Sequence, residues 1–184
     1  MNARAAANEP GFTLIEVLVS LSILVTVVLG VAQSFTLAIR SNDRARSMAF
    51  TTILAAEQLE RLRALSWHFD AAGSRITDLE TDLSRSPEQA GGVGLRPSPA
   101  DALDRNVSGY CDFLNGTGRS IGAGTSPPTG TAYVRRWSIE PLAAHPLDGI
   151  VLHVRVLPAQ SALSSERPVV GEARVSTVRA RRAW

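Results

Sequence analysis

"GFTLIEVLVSLSILVTVVLG", residues 11–30, decides how the first part of this chain folds. The apolar run continues to Ile39, and Glu16 is its only charged residue. From Phe12 onward it contains 28 residues, more than the roughly 20 that an α-helix needs to cross a hydrocarbon layer. A secretory signal has a shorter apolar core that ends at a small-residue cleavage site, and this run has no such end. Residues 12–39 are therefore predicted to span a membrane.

The helical pattern continues beyond the apolar run. After Ile39 no proline occurs before Pro87, and no glycine occurs between Gly30 and Gly73. The segment SMAFTTILAAEQLERLRAL is rich in residues with high helix propensity. One helix is therefore predicted from about Phe12 to about Leu65, with residues 40–66 forming an amphipathic second part.

This second part is predicted to bury one face against a soluble domain. Apolar and small residues recur at intervals of three and four, which places them on one side of a helix: Met48, Thr52, Ala55, Leu59 and Leu62. On its exposed surface, Glu57 is predicted to pair with Arg61, and Glu60 with Arg63.

Residues 67–184 are predicted to form a globular head. Its first part mixes acidic residues with Gly, Pro and Ser, and it is interpreted as loops, as is NGTGRSIGAGTSPPTGT. Three later segments have the alternation and β-branched content of half-buried strands: Ala132–Leu142, Gly149–Pro158 and Val169–Ala180. Their connections are too short for helical crossovers, so an antiparallel meander is expected. The predicted fold class is α+β, with the sheet packed on the long helix.

The composition argues for a single modest domain beside the span. The chain has 184 residues and a formal charge of +2, and its 19 basic residues are all arginine. The single cysteine, Cys111, excludes an internal disulfide and is predicted to be a small buried residue. Neither the histidines nor the aspartates have metal-ligand spacing, so no metal or cofactor is expected; the residues considered are His68, His145, His153, Asp101, Asp104 and Asp112. Trp67 and Trp137 are predicted to be core aromatics.

One motif imitates a hydrolase. GRSIG, residues 118–122, fits the G-x-S-x-G nucleophile elbow, and Asp148 and His153 follow Ser120 in the order of a Ser, Asp, His triad. The elbow requires a strand before it, a helix after it and a large parallel sheet. Glycine, threonine and proline flank the motif instead, so a chance match in a loop is the favoured interpretation and no enzymatic activity is expected.

The start of the chain resembles the type IV pilins and the pseudopilins of type II secretion. The resemblance rests on a short polar leader ending in glycine, MNARAAANEPG, then phenylalanine, then TLIEVLVSLSIL. Glutamate is the fifth residue of the run that begins at Phe12. AAEQLERLRAL near the end of the predicted helix, followed by YVRRWSIEPL and DGIVLHVRV in the head, looks like the PilV-type minor pilins and the related I-type pseudopilins.

This resemblance implies a processing and assembly site. A prepilin peptidase would remove residues 1–11 by cutting between Gly11 and Phe12 on the cytoplasmic side, and would methylate the new amine of Phe12. Glu16 would then be the assembly residue. A charged side chain in hydrocarbon costs about 2.5–3.5 kcal/mol. Glu16 is accordingly expected to be unpaired in the monomer and paired with a neighbouring subunit's amine in the fibre.

The resemblance also implies a location and partners. Three arginines follow the span, Arg40, Arg44 and Arg46, and the positive-inside rule would place the head in the cytoplasm. The motif implies the opposite: a single-pass inner-membrane protein with a cytoplasmic N-terminus and an extracytoplasmic head, later incorporated into a filament. The implied partners are the prepilin peptidase, other pilin or pseudopilin subunits and the inner-membrane assembly platform. Small residues of the span are expected to help helices pack: Ser20, Ser22, Thr26 and Gly30.

Two departures from the family pattern favour a minor or priming subunit. Many major pilins have a proline in the second half of the span, where this chain has Gly30 and Gln33. Major pilins also commonly close a loop with a cysteine pair. The predicted function is therefore a structural subunit of a type IV pilus or a type II secretion pseudopilus.

Three alternatives remain open, and one of them is an inner-membrane protein that is never assembled into a filament. In a DNA-uptake pseudopilin, Arg179, Arg181 and Arg182 would contact phosphate, although nucleic-acid binding is given little weight. In a membrane-anchored periplasmic hydrolase, Ser120 would be the nucleophile.

Overall fold

The computed structural model describes residues 11–162 and 171–181. In chain order its elements are α1 (Leu14–Ala64), β1 (Trp67–Phe69), β2 (Arg75–Thr77), β3 (Thr81–Asp82), β4 (Gln89–Ala90), β5 (Cys111–Leu114), β6 (Ser120–Ala123), β7 (Tyr133–Pro141), β8 (Gly149–Pro158), α2 (Ala159–Ala162) and β9 (Ala173–Ala180). The chain divides into two compact units, Met1–Asp43 and Arg44–Trp184, and the boundary lies within α1. Most of the predicted leader, residues 1–10, lies outside the described residues.

The first unit consists of the apolar part of α1. Among the described residues, α1 is the one helix that is long and apolar enough to cross a membrane, and the apolar stretch is entirely exposed. Large valine, leucine and isoleucine side chains along it are 46% to 80% exposed. Exposure of so many apolar side chains on one helix is unfavourable in water and is what a lipid-facing helix requires.

In the second unit, α1 packs on the head through a face that was predicted only in part. Its buried residues are Thr51, Leu54, Ala55, Gln58 and Leu62. The predictions for Ala55 and Leu62 are correct, whereas Met48 and Thr52 are exposed. Two buried positions are polar, and both are satisfied by hydrogen bonds: the Thr51 hydroxyl donates to Ser47 O at 3.0 Å, and Gln58 Nε2 donates to Leu83 O at 3.4 Å. The spacing of apolar residues does not predict burial of polar residues such as Thr51 and Gln58.

The head is built on a five-stranded antiparallel sheet with strand order β6-β5-β7-β8-β9. The predicted meander is confirmed as β7, β8 and β9, and the bounds of β8 match the prediction. β9 begins at Ala173. The predicted start of that strand, residues 169 and 170, lies outside the described residues.

Two further strands were interpreted as loops. β5 pairs with β7 from Cys111↔Arg136 to Leu114↔Tyr133, and β6 pairs with β5 at the edge of the sheet. β5 is buried on both faces and therefore shows no alternation, while β6 lies in a Gly/Ser-rich segment. Two small antiparallel pairs, β1 with β2 and β3 with β4, also occupy the region that was interpreted as loops.

The turn between β5 and β6 depends on a glycine that also lies against α1. Gly118 has a φ of +82°, a conformation that side chains rarely adopt. A Cβ at this position would lie 2.7 Å from Leu54 Cδ2. Asn115 closes the same turn, since its Oδ1 accepts hydrogen bonds from the amides of Thr117 and Arg119, both at 3.0 Å. The turn therefore fits closely against the buried face of α1.

The sheet buries one face on α1 in a single apolar cluster. From β8 this cluster contains Ile150, Leu152, Val154 and Val156, the four residues predicted to share a face. Trp67 and Trp137 belong to it as well, which confirms both as core aromatics. A smaller cluster on the opposite face of the sheet contains Cys111, which is fully buried as predicted. Burial raises the pKa of the Cys111 thiol.

A buried ion pair links α1 to the centre of the sheet. Arg135 of β7 and Asp112 of β5 are cross-strand neighbours, and their side chains are almost completely buried. Arg135 donates through Nε to Asp112 Oδ1 at 2.9 Å and through Nη2 to Asp112 Oδ2 at 2.6 Å. Its Nη1 donates to Leu54 O of α1 at 3.2 Å. Burial raises the pKa of the Asp112 carboxyl, and the Arg135 guanidinium opposes that shift.

Candidate functional site

Glu16 is held at the start of α1 by the residue three positions before it. Glu16 Oε2 accepts a hydrogen bond from the Thr13 amide at 2.9 Å and another from the Thr13 hydroxyl at 2.8 Å. In return, the Glu16 amide donates to Thr13 Oγ1 at 3.3 Å. This reciprocal arrangement is a capping box, with Thr13 as the N-cap and Glu16 as the third helical residue.

The capping box adds to the expectation for Glu16: no ion pair reaches it among the described residues, but Thr13 partly satisfies its carboxylate by hydrogen bonds. The carboxylate satisfies an amide at the N-terminus of α1, where the helix dipole also favours a negative charge. Only Oε2 takes part, and Oε1 has no hydrogen bond or ion pair among the described residues. The carboxylate therefore has one oxygen engaged by its own helix and one available for a cation.

Thr13 is the residue of this site that the sequence analysis missed. The signal was present as T-x-x-E directly before an apolar helix, which is the sequence signature of a capping box. Hydropathy registers Glu16 only as a charge in lipid, whereas the capping signature depends on the spacing of Thr13 and Glu16.

The predicted cleavage position lies just outside α1. Gly11, Phe12 and Thr13 precede the first helical residue, Leu14. Phe12 is 91% exposed, and no atom of another part of the chain lies within 4 Å of where a Gly11 Cβ would be. The bond between residues 11 and 12 is thus in non-helical, accessible backbone, which a peptidase needs.

The hydroxyl groups of the apolar helix are mostly satisfied within the helix itself. Ser22 Oγ donates to Leu18 O and Thr26 Oγ1 donates to Ser22 O, both at 2.8 Å. These side chains therefore present small surfaces without an unsatisfied donor, which suits close approach of another helix.

The three residues of the hydrolase motif are engaged separately. Ser120 begins the edge strand β6, and its hydroxyl donates to Ser84 O at 3.3 Å. His153 Nδ1 lies 2.6 Å from Ser176 Oγ, and Asp148 forms an ion pair with Arg75 at 3.4 Å. No strand-to-helix elbow is formed at Ser120. The Ser120 hydroxyl and the His153 ring thus have separate partners, and the predicted triad is not assembled around Ser120.

The two described arginines of the DNA-binding alternative make contacts within the chain, one with α1 and one within the head. Arg179 Nη1 donates to Leu62 O at 3.4 Å. The Arg181 guanidinium lies 3.7 Å from the centre of the Trp67 ring, and its Nη1 donates to the carbonyls of His68 and Ile76, both at 3.1 Å. Burial and the nearby Arg75 lower the pKa of Arg181. Arg182 lies outside the described residues.

These contacts predict that Arg181 stabilises the head. In Arg181→Ala, loss of the cation–π contact and of several hydrogen bonds should lower the free energy of unfolding by about 2 kcal/mol. The measurement is denaturant unfolding of the full chain in detergent, followed by tryptophan fluorescence. Arg119→Ala, which removes an exposed arginine, is the control and should change stability by less than about 0.5 kcal/mol. Equal stability of the two variants would contradict the assignment.

The aspartates considered as metal ligands, and the glutamates of the predicted surface pairs, were compared with their arginine neighbours in the structure. Asp101 pairs with Arg105, and Asp104 Oδ1 lies 2.9 Å from Arg155 Nη1. The predicted pair of Glu60 with Arg63 is present at 2.7 Å. Arg61 pairs with Glu88 at 3.0 Å instead of with Glu57. Within the described part of the chain, no group of three or more His, Cys, Asp or Glu side chains is placed to hold a metal ion.

Comparison with known proteins identifies one feature of the chain. A family model described as the prokaryotic N-terminal methylation motif matches residues 7–32. The match includes Gly11, Phe12, Thr13 and Glu16 and ends within α1, so it does not extend to the head. Comparisons with curated proteins and with solved structures gave no match.

Proposed function

We propose that this chain is a minor pilin or pseudopilin. Its N-terminal methylation motif supports a place in the type IV pilin and pseudopilin family. In this proposal a prepilin peptidase cuts between Gly11 and Phe12 and methylates the amine of Phe12. The mature subunit is then assembled through its N-terminal helix into a type IV pilus or a type II secretion pseudopilus.

The observation that carries the proposal is the state of the Glu16 carboxylate. Cleavage creates a cationic amine on Phe12, and methylation of that amine preserves its charge. Glu16 Oε1 is available, so the amine of a neighbouring subunit can bind it while Oε2 remains bound to Thr13. Each charge then offsets much of the desolvation cost of the other, which stabilises the fibre relative to separate subunits in lipid.

The proposed location follows from the same helix. Residues 12–39 hold the subunit in the inner membrane with its N-terminus in the cytoplasm and its head, residues 67–184, outside that membrane. Residues 40–66 connect the two. The peptidase, the assembly platform and other pilin-type subunits would be its partners, and all of them would meet the chain at or near the membrane.

A minor role is supported by the head and by the continuity of α1. Cys111 is buried, with its Sγ 2.8 Å from Gly124 O, and no disulfide closes a C-terminal loop. α1 runs without a break from Leu14 to Ala64, and no proline interrupts the span at Gly30 or Gln33. Both features differ from the pattern of many major subunits, and PilV-type and I-type minor subunits are the proposed subclass.

Mass spectrometry of the mature N-terminus tests the processing step. In cells that contain the peptidase, the native chain should begin at Phe12 and carry one methyl group on its amine. Deletion of the peptidase should leave residues 1–11 attached, and this strain is the control. A native chain that keeps those eleven residues, or that begins at another position, is incompatible with the proposal.

A further inference from the structure

The capping box places Thr13 in direct contact with Glu16, the proposed assembly residue. Both donors of Thr13 bind the same carboxylate oxygen of Glu16, at 2.8 and 2.9 Å. A carboxylate held by two donors on one oxygen loses most of its freedom to rotate. The position of its other oxygen, Oε1, is therefore set by Thr13.

The proposed cut leaves this arrangement intact. The Thr13 amide belongs to the peptide bond between Phe12 and Thr13, whereas the peptidase would cut the bond between Gly11 and Phe12. Cleavage and methylation change only the nitrogen of Phe12. All three hydrogen bonds between Thr13 and Glu16 thus persist in the mature chain, and the cationic amine is created one residue before the cap.

Building on the proposed function, we propose that Thr13 is a positioning residue for assembly: it binds Glu16 Oε2 and so presents Oε1 to the amine of the neighbouring subunit's first residue. The two carboxylate oxygens then have different partners, one within the helix and one in the next subunit. Without the Thr13 hydroxyl, the Glu16 carboxylate can rotate, and either oxygen can accept from another donor. Oε1 is then directed at the neighbouring amine in a smaller fraction of subunits.

A zero-length carbodiimide cross-link between the Glu16 carboxylate and the Phe12 amine of the next subunit measures this geometry directly. The experiment uses filaments formed by the full chain, and the yield is counted per incorporated subunit by mass spectrometry of the joined peptides. Thr13→Val keeps the β-branched shape and removes the hydroxyl, and Thr13→Ser keeps the hydroxyl. We expect the yield to fall about fivefold in Thr13→Val, a factor that corresponds to about 1 kcal/mol, and to match the wild type in Thr13→Ser.

The cross-link yield, compared with hydrogen exchange, separates positioning from helix capping alone. Both roles predict faster exchange of the Glu16 amide in Thr13→Val, because its acceptor is removed. Only positioning predicts a lower cross-link yield among subunits that have already entered the filament. A wild-type yield in Thr13→Val overturns the inference.

The outcome can be distinguished from failure of the proposed function. If wild-type filaments contain methylated Phe12 but no cross-link to Glu16, the inference is overturned and the proposed processing stands. If the chain is neither cut nor methylated, the proposed function itself fails.

Discussion

Replacement of Glu16 by alanine should leave membrane insertion and cleavage unchanged and should reduce entry into filaments by about a hundredfold or more. The reason is that the variant leaves the neighbouring subunit's amine without a counter-ion in a low-dielectric contact, and loss of one partner of a buried pair costs about 3–5 kcal/mol. The measurement is the amount of the chain in sheared filaments relative to the membrane fraction, with mass spectrometry of the N-terminus to confirm cleavage.

Two further variants assign this effect to the charge. Glu16→Gln retains an oxygen that can accept from Thr13, since glutamine also serves in a capping box, but it has no charge. It should be excluded from filaments nearly as strongly as the alanine variant. Thr36→Ala removes a hydroxyl that donates only to Ala32 O of its own helix, and it should assemble normally. Normal assembly of Glu16→Gln would show that the cap, and not the charge, is what assembly requires.

Replacement of Arg135 by methionine should lower the free energy of unfolding of the head by about 3–5 kcal/mol, because Asp112 then remains buried without its cation. The double variant Asp112→Leu, Arg135→Met removes both charges and should recover much of the loss. Denaturant unfolding of the full chain in detergent, followed by tryptophan fluorescence, measures both. Arg174→Met, at an exposed position of β9, is the matched control and should change stability by less than about 0.5 kcal/mol.

The same variant should have a characteristic pH dependence. Burial raises the pKa of Asp112, and without Arg135 nothing nearby of comparable strength opposes the shift. The folded state then holds a proton that the unfolded state releases above its own lower pKa, so stability falls as the pH rises through this interval. Arg135→Met should therefore regain stability as the pH is lowered from 7 towards 4. A deficit that does not change over this range would contradict a buried, unpaired carboxylate.

In the head, the sequence predicts a strand correctly where buried and less buried residues alternate along it. β8 alternates between two environments, and its bounds were predicted correctly. β5 is buried on both sides and β6 is a short edge strand, so neither has a period to detect. β5 forms on an edge that the later strand β7 offers, and β6 in turn pairs with β5.

The buried face of α1 shows the same limit. Ala55 and Leu62 were identified because they are apolar, whereas Thr51 and Gln58 are buried through hydrogen bonds. Met48 was assigned to the core by its apolar character, yet it is 53% exposed.

The sequence alone determined the membrane-spanning helix and the residues proposed for processing, because hydropathy over 28 residues and a motif of adjacent positions are local properties. Only the tertiary structure decided which arginines are buried and which are solvated. Arg135 and Arg174 look alike in the sequence, but one lies opposite Asp112 beneath α1 and the other faces outward on an edge strand. The energy of a charge depends on what surrounds it in space, and for this head those surroundings come from segments distant along the chain.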